Sequence, residues 1–190
     1  LHEIEEIRDK TPGFTGVVSA SNSLVGSTAG DRVGAEYGLV GDTSTLALAG
    51  ILVGSSTWTN PSTGAANAGA LTYIAPGYSF FGATVSSSNS LVGSNPNDQV
   101  GLGVNGDFFG VNFGFGDQVG SAVVSISPTK FLLRGLQWNG GRGAVTLFNT
   151  ASPTVGVVSS SNSLVGSTAG DQVGLTIRTN AAGGYGLILT

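Results

Sequence analysis

The chain has 190 residues, of which 32 are Gly, 9% are charged and 40% are hydrophobic, with no Cys, no Met, a single His and a formal net charge of -4. That length supports one ordinary domain with its own core, and this much hydrophobicity against so little net charge excludes a disordered tail. The missing cysteines exclude disulfides, zinc-thiolate sites and thiol catalysis together, and an acidic pI of about 4.6 argues against a nucleic-acid surface.

Six of the 18 charged residues, Glu3, Glu5, Glu6, Arg8, Asp9 and Lys10, fall in the first ten positions. Leu1, Ile4 and Ile7 recur at helical spacing, Glu6 and Lys10 form an i,i+4 pair, and Pro12-Gly13 ends the pattern. The segment 1–13 is therefore expected to be an amphipathic helix. So short a helix is marginal alone and must dock its apolar stripe, which makes Leu1, Ile4 and Ile7 candidate assembly residues. The chain opens without Met and without an apolar run of signal-peptide type, as a processed form would. The most apolar stretch, 46–53, is far shorter than the roughly 18 residues a spanning helix needs, so no membrane span is expected.

From residue 14 to 190 the chain repeats itself. SNSLVGS stands at 21–27, 88–94 and 161–167, each time preceded by a Val-rich pair and followed by a turn ending in Asp-Gln-Val-Gly or Asp-Arg-Val-Gly. The copies lie 67 and then 73 residues apart. Between them a second pattern recurs: Ile51-Leu52-Val53-Gly54 with Trp58 parallels Phe131-Leu132-Leu133-Arg134 with Trp138. Ala70-Leu71-Thr72-Tyr73 likewise parallels Ala144-Val145-Thr146-Leu147. A third half-unit begins at Tyr185.

Each period holds about four short segments rich in Val, Leu, Ile, Thr and aromatics, separated by Gly, Asn, Pro and Ser, which is strand-and-turn chemistry. Over 85–92 the faces are mixed, which suits two short strands around a polar bend better than one long strand. The fold class expected is all-β, with fewer than three units resembling β-propeller blades of about 70 residues and a short N-terminal helix. A β-solenoid is the alternative.

No catalytic constellation is apparent. His2 lies in the opening helix away from every repeat, and the acids of the body fall largely at equivalent turn positions that do not converge, so the protein reads as a non-enzyme. Asp31, Asp98, Asp117 and Asp171 occupy Asp-x-Val-Gly turns. The plain reading is that each carboxylate accepts backbone N–H bonds, which makes Asp98→Asn a mild change. The alternative is calcium, which takes about six to eight oxygens and finds only one carboxylate per loop. No cofactor is assigned. Phe108, Phe109, Phe113 and Phe115 lie in a Gly-rich insertion and either fill a core or stack on a glycan or protein partner. Trp58 and Trp138 read as plugs between units. Leu187 and Leu189, in the last apolar segment, join Leu1, Ile4 and Ile7 as assembly candidates, because an unpaired terminal strand is a template for pairing.

The string SNSLVGSTAGDQVG at 161–174, with the strand, Trp turn and Gly-Ala-Val-Thr strand that separate the copies, resembles a repeat family of unknown function. That family occurs in tandem copies in large exported bacterial proteins of adhesin-like or filamentous-haemagglutinin-like type. Leu52-Val53-Gly54, Gly69-Ala70-Leu71-Thr72-Tyr73 and Phe81-Gly82 are also similar, more weakly, to the FG-GAP repeats of integrin-type propellers. The calcium loops of those propellers have no counterpart here, since no DxDxDG run is present. The resemblance implies a structural or assembly protein of the bacterial cell surface or an extracellular fibre, self-associating or stacked on neighbouring repeats. A carbohydrate-binding adhesive module is the alternative.

Overall fold

A computed structural model describes residues 16–42, 47–77, 82–102, 123–179 and 185–188. The helix expected over 1–13 lies outside them. The described chain is almost entirely β: β1 (Leu24–Val25), β2 (Glu36–Asp42), β3 (Ala47–Ser55), β4 (Ala70–Ile74), β5 (Ala83–Thr84), β6 (Ser90–Val92), β7 (Val123–Ser127), β8 (Lys130–Gly135), β9 (Ala144–Asn149), β10 (Gly156–Val157), β11 (Leu164–Val165), β12 (Thr176–Thr179) and β13 (Tyr185–Ile188). One helical turn, α1 (Trp138–Gly141), interrupts this pattern, and its Asn139 and Gly140 sit at φ of 49° and 71°, so it is a kink after the Trp and no true helix.

The all-β expectation holds; of the two short strands expected within 85–92, only β6 lies there, after the bend, and the strand before the bend, β5, is at 83–84. Strands β2, β3, β4 and β6 form one antiparallel unit, and β7, β8, β9 and β11 form the next. In both, the Ser-Leu-Val segment is the last strand. None of the sheets closes into a barrel.

One arrangement was not legible in the sequence. The two residues just before the bend of each later copy leave their own unit and pair in parallel on the Ser-Leu-Val strand of the preceding copy. Leu24 and Val25 face Ala83 and Thr84, and Leu91 and Val92 face Gly156 and Val157. Each such edge is thus covered by a strand from the next unit, which removes the free N–H and C=O groups that invite aggregation.

Period-two alternation then feeds two cores from one sheet. In β6, Leu91 belongs to the large cluster with Leu52, Leu71, Phe131, Leu133, Trp138, Phe148 and Val158, while its neighbour Val92 packs with Trp58, Ala70 and Val85. In β4, Leu71 and Ala70 divide the same way. The five-stranded sheet is covered on both faces, which explains its continuous burial at Ala70, Leu71 and Thr72. Tyr73 and Phe148 meet edge to face, with centroids 5.3 Å apart and planes at 63°, tying the two larger sheets together. The Tyr73 hydroxyl donates to the Ala49 carbonyl, and burial pushes its phenol pKa up against the lowering effect of Thr150.

Close backbone approach requires glycine at two equivalent points. Gly69 and Gly143, at φ of +75° and +76°, lie where a Cβ would fall 2.3 Å from the backbone nitrogens of Val100 and Val173 respectively. Gly64 has a similar φ of +72° but open space around it. Gly64→Ala is therefore expected to cost only the left-handed backbone penalty of about 1–2 kcal/mol. Gly69→Ala should cost clearly more, because the wall it meets is backbone and cannot rotate away. Urea denaturation of the two variants checks the ranking; equal losses would contradict it.

Candidate functional site

The three SNSLVGS copies fold by the same local chemistry. In each, the Asn side chain closes the bend: Asn22, Asn89 and Asn162 accept the N–H of Ser19, Ser86 and Ser159 at 2.9, 3.0 and 3.0 Å. Their Nδ2 groups donate to the carbonyls of Val17, Thr84 and Val157. An Asx-type bond of this kind fixes the reversal between two short strands. One hydroxyl pair recurs across the following ladder, Thr72 with Ser90 and Thr146 with Ser163, each at 2.7 Å.

The Asp turns do more than close themselves. Asp31 Oδ2 accepts the N–H groups of Ser27 and Thr28, both at 2.8 Å, and its Oδ1 accepts the N–H of Thr59 at 2.9 Å, 28 positions away. Asp98 Oδ2 accepts from Ser94 and Asn95, both at 2.9 Å, and its Oδ1 accepts from Asn139 at 2.7 Å. Thr59 and Asn139 are the residues after Trp58 and Trp138. Each carboxylate therefore clamps its own turn with one oxygen and the neighbouring Trp turn with the other. The positive φ expected in these turns falls on Gly30, Asn97 and Gly170, and the residue after each Asp, Arg32, Gln99 or Gln172, is left-handed as well.

Asp171 repeats half of this. Its Oδ2 accepts from Ser167 and Thr168 at 2.9 and 2.8 Å, while no described residue donates to Oδ1. Three backbone dipoles aimed at each of Asp31 and Asp98 form the surroundings of an anion, so their lone pairs are committed to N–H donors. Among the described residues no group of three or more His, Cys, Asp or Glu could hold a metal ion.

The Trp turns complete the joints. Trp58 is buried with Leu24 and Val33 from the first copy and Val85 and Val92 around the second, and Trp138 packs with Leu91, Val100 and Val158. The polar residues beside Trp58 reach both neighbours: Thr57 Oγ1 donates toward the Gly30 and Asp31 carbonyls, and Asn60 Nδ2 donates to the Gly93 carbonyl at 2.7 Å. In the second unit Arg134, buried where the first unit has Gly54, donates through one terminal nitrogen to the Gly174 and Leu175 carbonyls. Burial lowers its pKa from the usual guanidinium value. A small apolar cavity of about 20 Å³ lies here, lined in part by Leu91, Leu133, Arg134, Trp138 and Val158.

Of the residues singled out in the sequence, Asp31, Asp98 and Asp171 thus fall at equivalent places. Asp117, Phe108, Phe109, Phe113, Phe115, Leu1, Ile4, Ile7 and Leu189 lie outside the described residues. Leu187 sits in β13, its backbone opposite Ile177. The sequence reading missed the second carboxylate contact, although an Asp in every copy and a Trp between copies were its visible signal.

A family model for a repeat of unknown function, DUF5650, matches residues 8–35, 46–102 and 126–175, well over half of the chain. No curated protein and no solved structure matches.

The second contact changes the expectation for Asp98. Asp98→Asn keeps one acceptor oxygen and turns an NH2 group toward an N–H donor, a loss of about 1–3 kcal/mol. Asp171→Asn can turn its NH2 to the side that has no donor, and its cost should be near zero. Chemical denaturation of both variants tests this, and equal stability would contradict the clamp. Trp58→Ala is expected to lose about 3–5 kcal/mol, and both native indoles should resist acrylamide quenching; ready quenching of both would overturn the plug reading.

Proposed function

The chain belongs to the DUF5650 family of repeats of unknown function, and we propose that it serves as a structural and assembly element of the bacterial cell surface or of an extracellular fibre. The observation that carries this reading is where the polar chemistry goes. The buried carboxylates of Asp31 and Asp98 hold one unit to the next through backbone N–H groups. Side chains committed in this way build length and stiffness, and the role proposed is non-catalytic.

The likeness of the SNSLVGS copies to repeats of exported, adhesin-like proteins supports the extracellular placement. Low charge and the absence of cysteine suit an exposed array that needs no redox protection. Its partners in this reading are further repeats, in the same or another copy. Among the described residues no helix is long and apolar enough to cross a membrane.

Immunogold labelling of intact, unpermeabilised cells that express the protein is expected to decorate the surface or attached fibres. Label found only after permeabilisation would overturn the placement. A glycan array probed with the purified chain is expected to show no saturable binding; a saturable, competable signal would favour the carbohydrate-binding role instead.

A further inference from the structure

Inside the chain, every completed joint contains the same parallel strand addition. The N–H of Val85 donates to the Val25 carbonyl at 2.9 Å, and that of Val158 donates to the Val92 carbonyl at 3.0 Å. Val18 stands at the position of Val85 and Val158, three residues before SNSLVGS, and Leu164 stands at the position of Leu91. Exposure separates the joined from the unjoined copies. Val85 and Val158 are 1% and 4% exposed, Val18 is 71% and its neighbour Val17 86%; Leu91 is 3% exposed and Leu164 50%.

The two exposed surfaces are the two halves of one joint. β11 is paired on one side with β9, through Leu164–Val145 and Val165–Ala144, and its other side has no partner among the described residues. Residues 16–18 carry a strand sequence with no strand beside it among the described residues. The bend that follows is already held as in the joined copies, because Asn22 makes the same bonds to Ser19 and Val17 that Asn162 makes to Ser159 and Val157. A preformed bend lowers the ordering cost of association.

We propose that the open edge of β11 receives residues 16–18 of a second copy of this chain, so that copies join head to tail by the strand addition that joins the units within one. The proposal rests on the assembly reading above and names its contact. The register is that of the internal joints: Val165 faces Val17 of the incoming copy, whose Val18 N–H donates to the Val165 carbonyl. The contact buries Val18 and Leu164, as Val158 and Leu91 are buried in the internal joint, and leaves Val17 partly exposed, as Val157 is there at 39%. Because the two patches differ, the contact is heterologous and yields a ring or a fibre according to its rotation.

The chain has no native cysteine, so cross-linking can be directed cleanly. Full-length Val17→Cys is mixed with size-tagged full-length Val165→Cys and treated with an oxidant or a short bis-maleimide. The expected result is a mixed dimer in excess over both homodimers, and a ladder of multimers from the double variant. Homodimers and mixed dimers in the ratio of random collision, or no cross-link at all, would overturn the joint. As a second measurement that does not depend on Val165, Val18→Lys alters a residue already exposed in the single chain. It should leave the melting temperature unchanged while light scattering shows loss of the assembled species. Assembly that persists in Val18→Lys rejects this joint but keeps the assembly reading, whereas surface labelling of cells tests that reading independently of the joint.

Discussion

The clamp made by a buried aspartate between its own turn and the next Trp turn is the interaction on which the rest of the structure depends. An isolated buried carboxylate is costly, and here that cost is offset by three backbone donors around each of Asp31 and Asp98. Two donors come from one unit and the third from another, so the carboxylate gains its full set of backbone donors, in exchange for water, only when the units are stacked. Local folding and stacking are thereby coupled: a turn formed without its neighbour leaves one carboxylate oxygen without a donor, as at Asp171.

Around that clamp the stack is sealed by shape. Each Trp fills the space between one copy and the next, and glycines at 69 and 143 let the backbone before β4 and β9 touch the backbone of the following Asp turn. The hydrogen bonds at those contacts, from Val100 and Val173 to the carbonyls of Ala68 and Arg142, are peptide to peptide. This helps explain how the chain tolerates so few charges. The buried Asp31, Asp98, Asn60 and Arg134 side chains all bond backbone groups, and the residue at one equivalent place varies from Gly54 to Arg134.

The strand addition solves the edge problem in a different way from a closed sheet. A closed barrel has no edges; here the Ser-Leu-Val strands of the first two copies are each covered by two residues of the next unit, and the third, β11, has no such cover among the described residues. Val18 and Leu164 show the cost in exposed apolar surface at the two places where no described strand covers them. The same two-residue device is what makes an array of such units extensible.

The sequence by itself determined the periodicity, the all-β class, the bends around Asn22, Asn89 and Asn162, and the turns at Asp31, Asp98 and Asp171. All of these rest on local rules, period-two alternation, left-handed Gly and Asn, and side chains that bond their own backbone, which act over a few residues and recur wherever the string recurs. The tertiary structure alone decided that 83–84 and 156–157 leave their own unit to cover another, that Leu91 and Val92 feed different cores, and that Asp98 reaches Asn139. Those contacts join residues tens of positions apart, and sequence pattern carries only which faces are apolar or polar. Which face meets which neighbour is set by the register and the stacking, where a carboxylate with one oxygen left over and a strand with one edge left over find their partners.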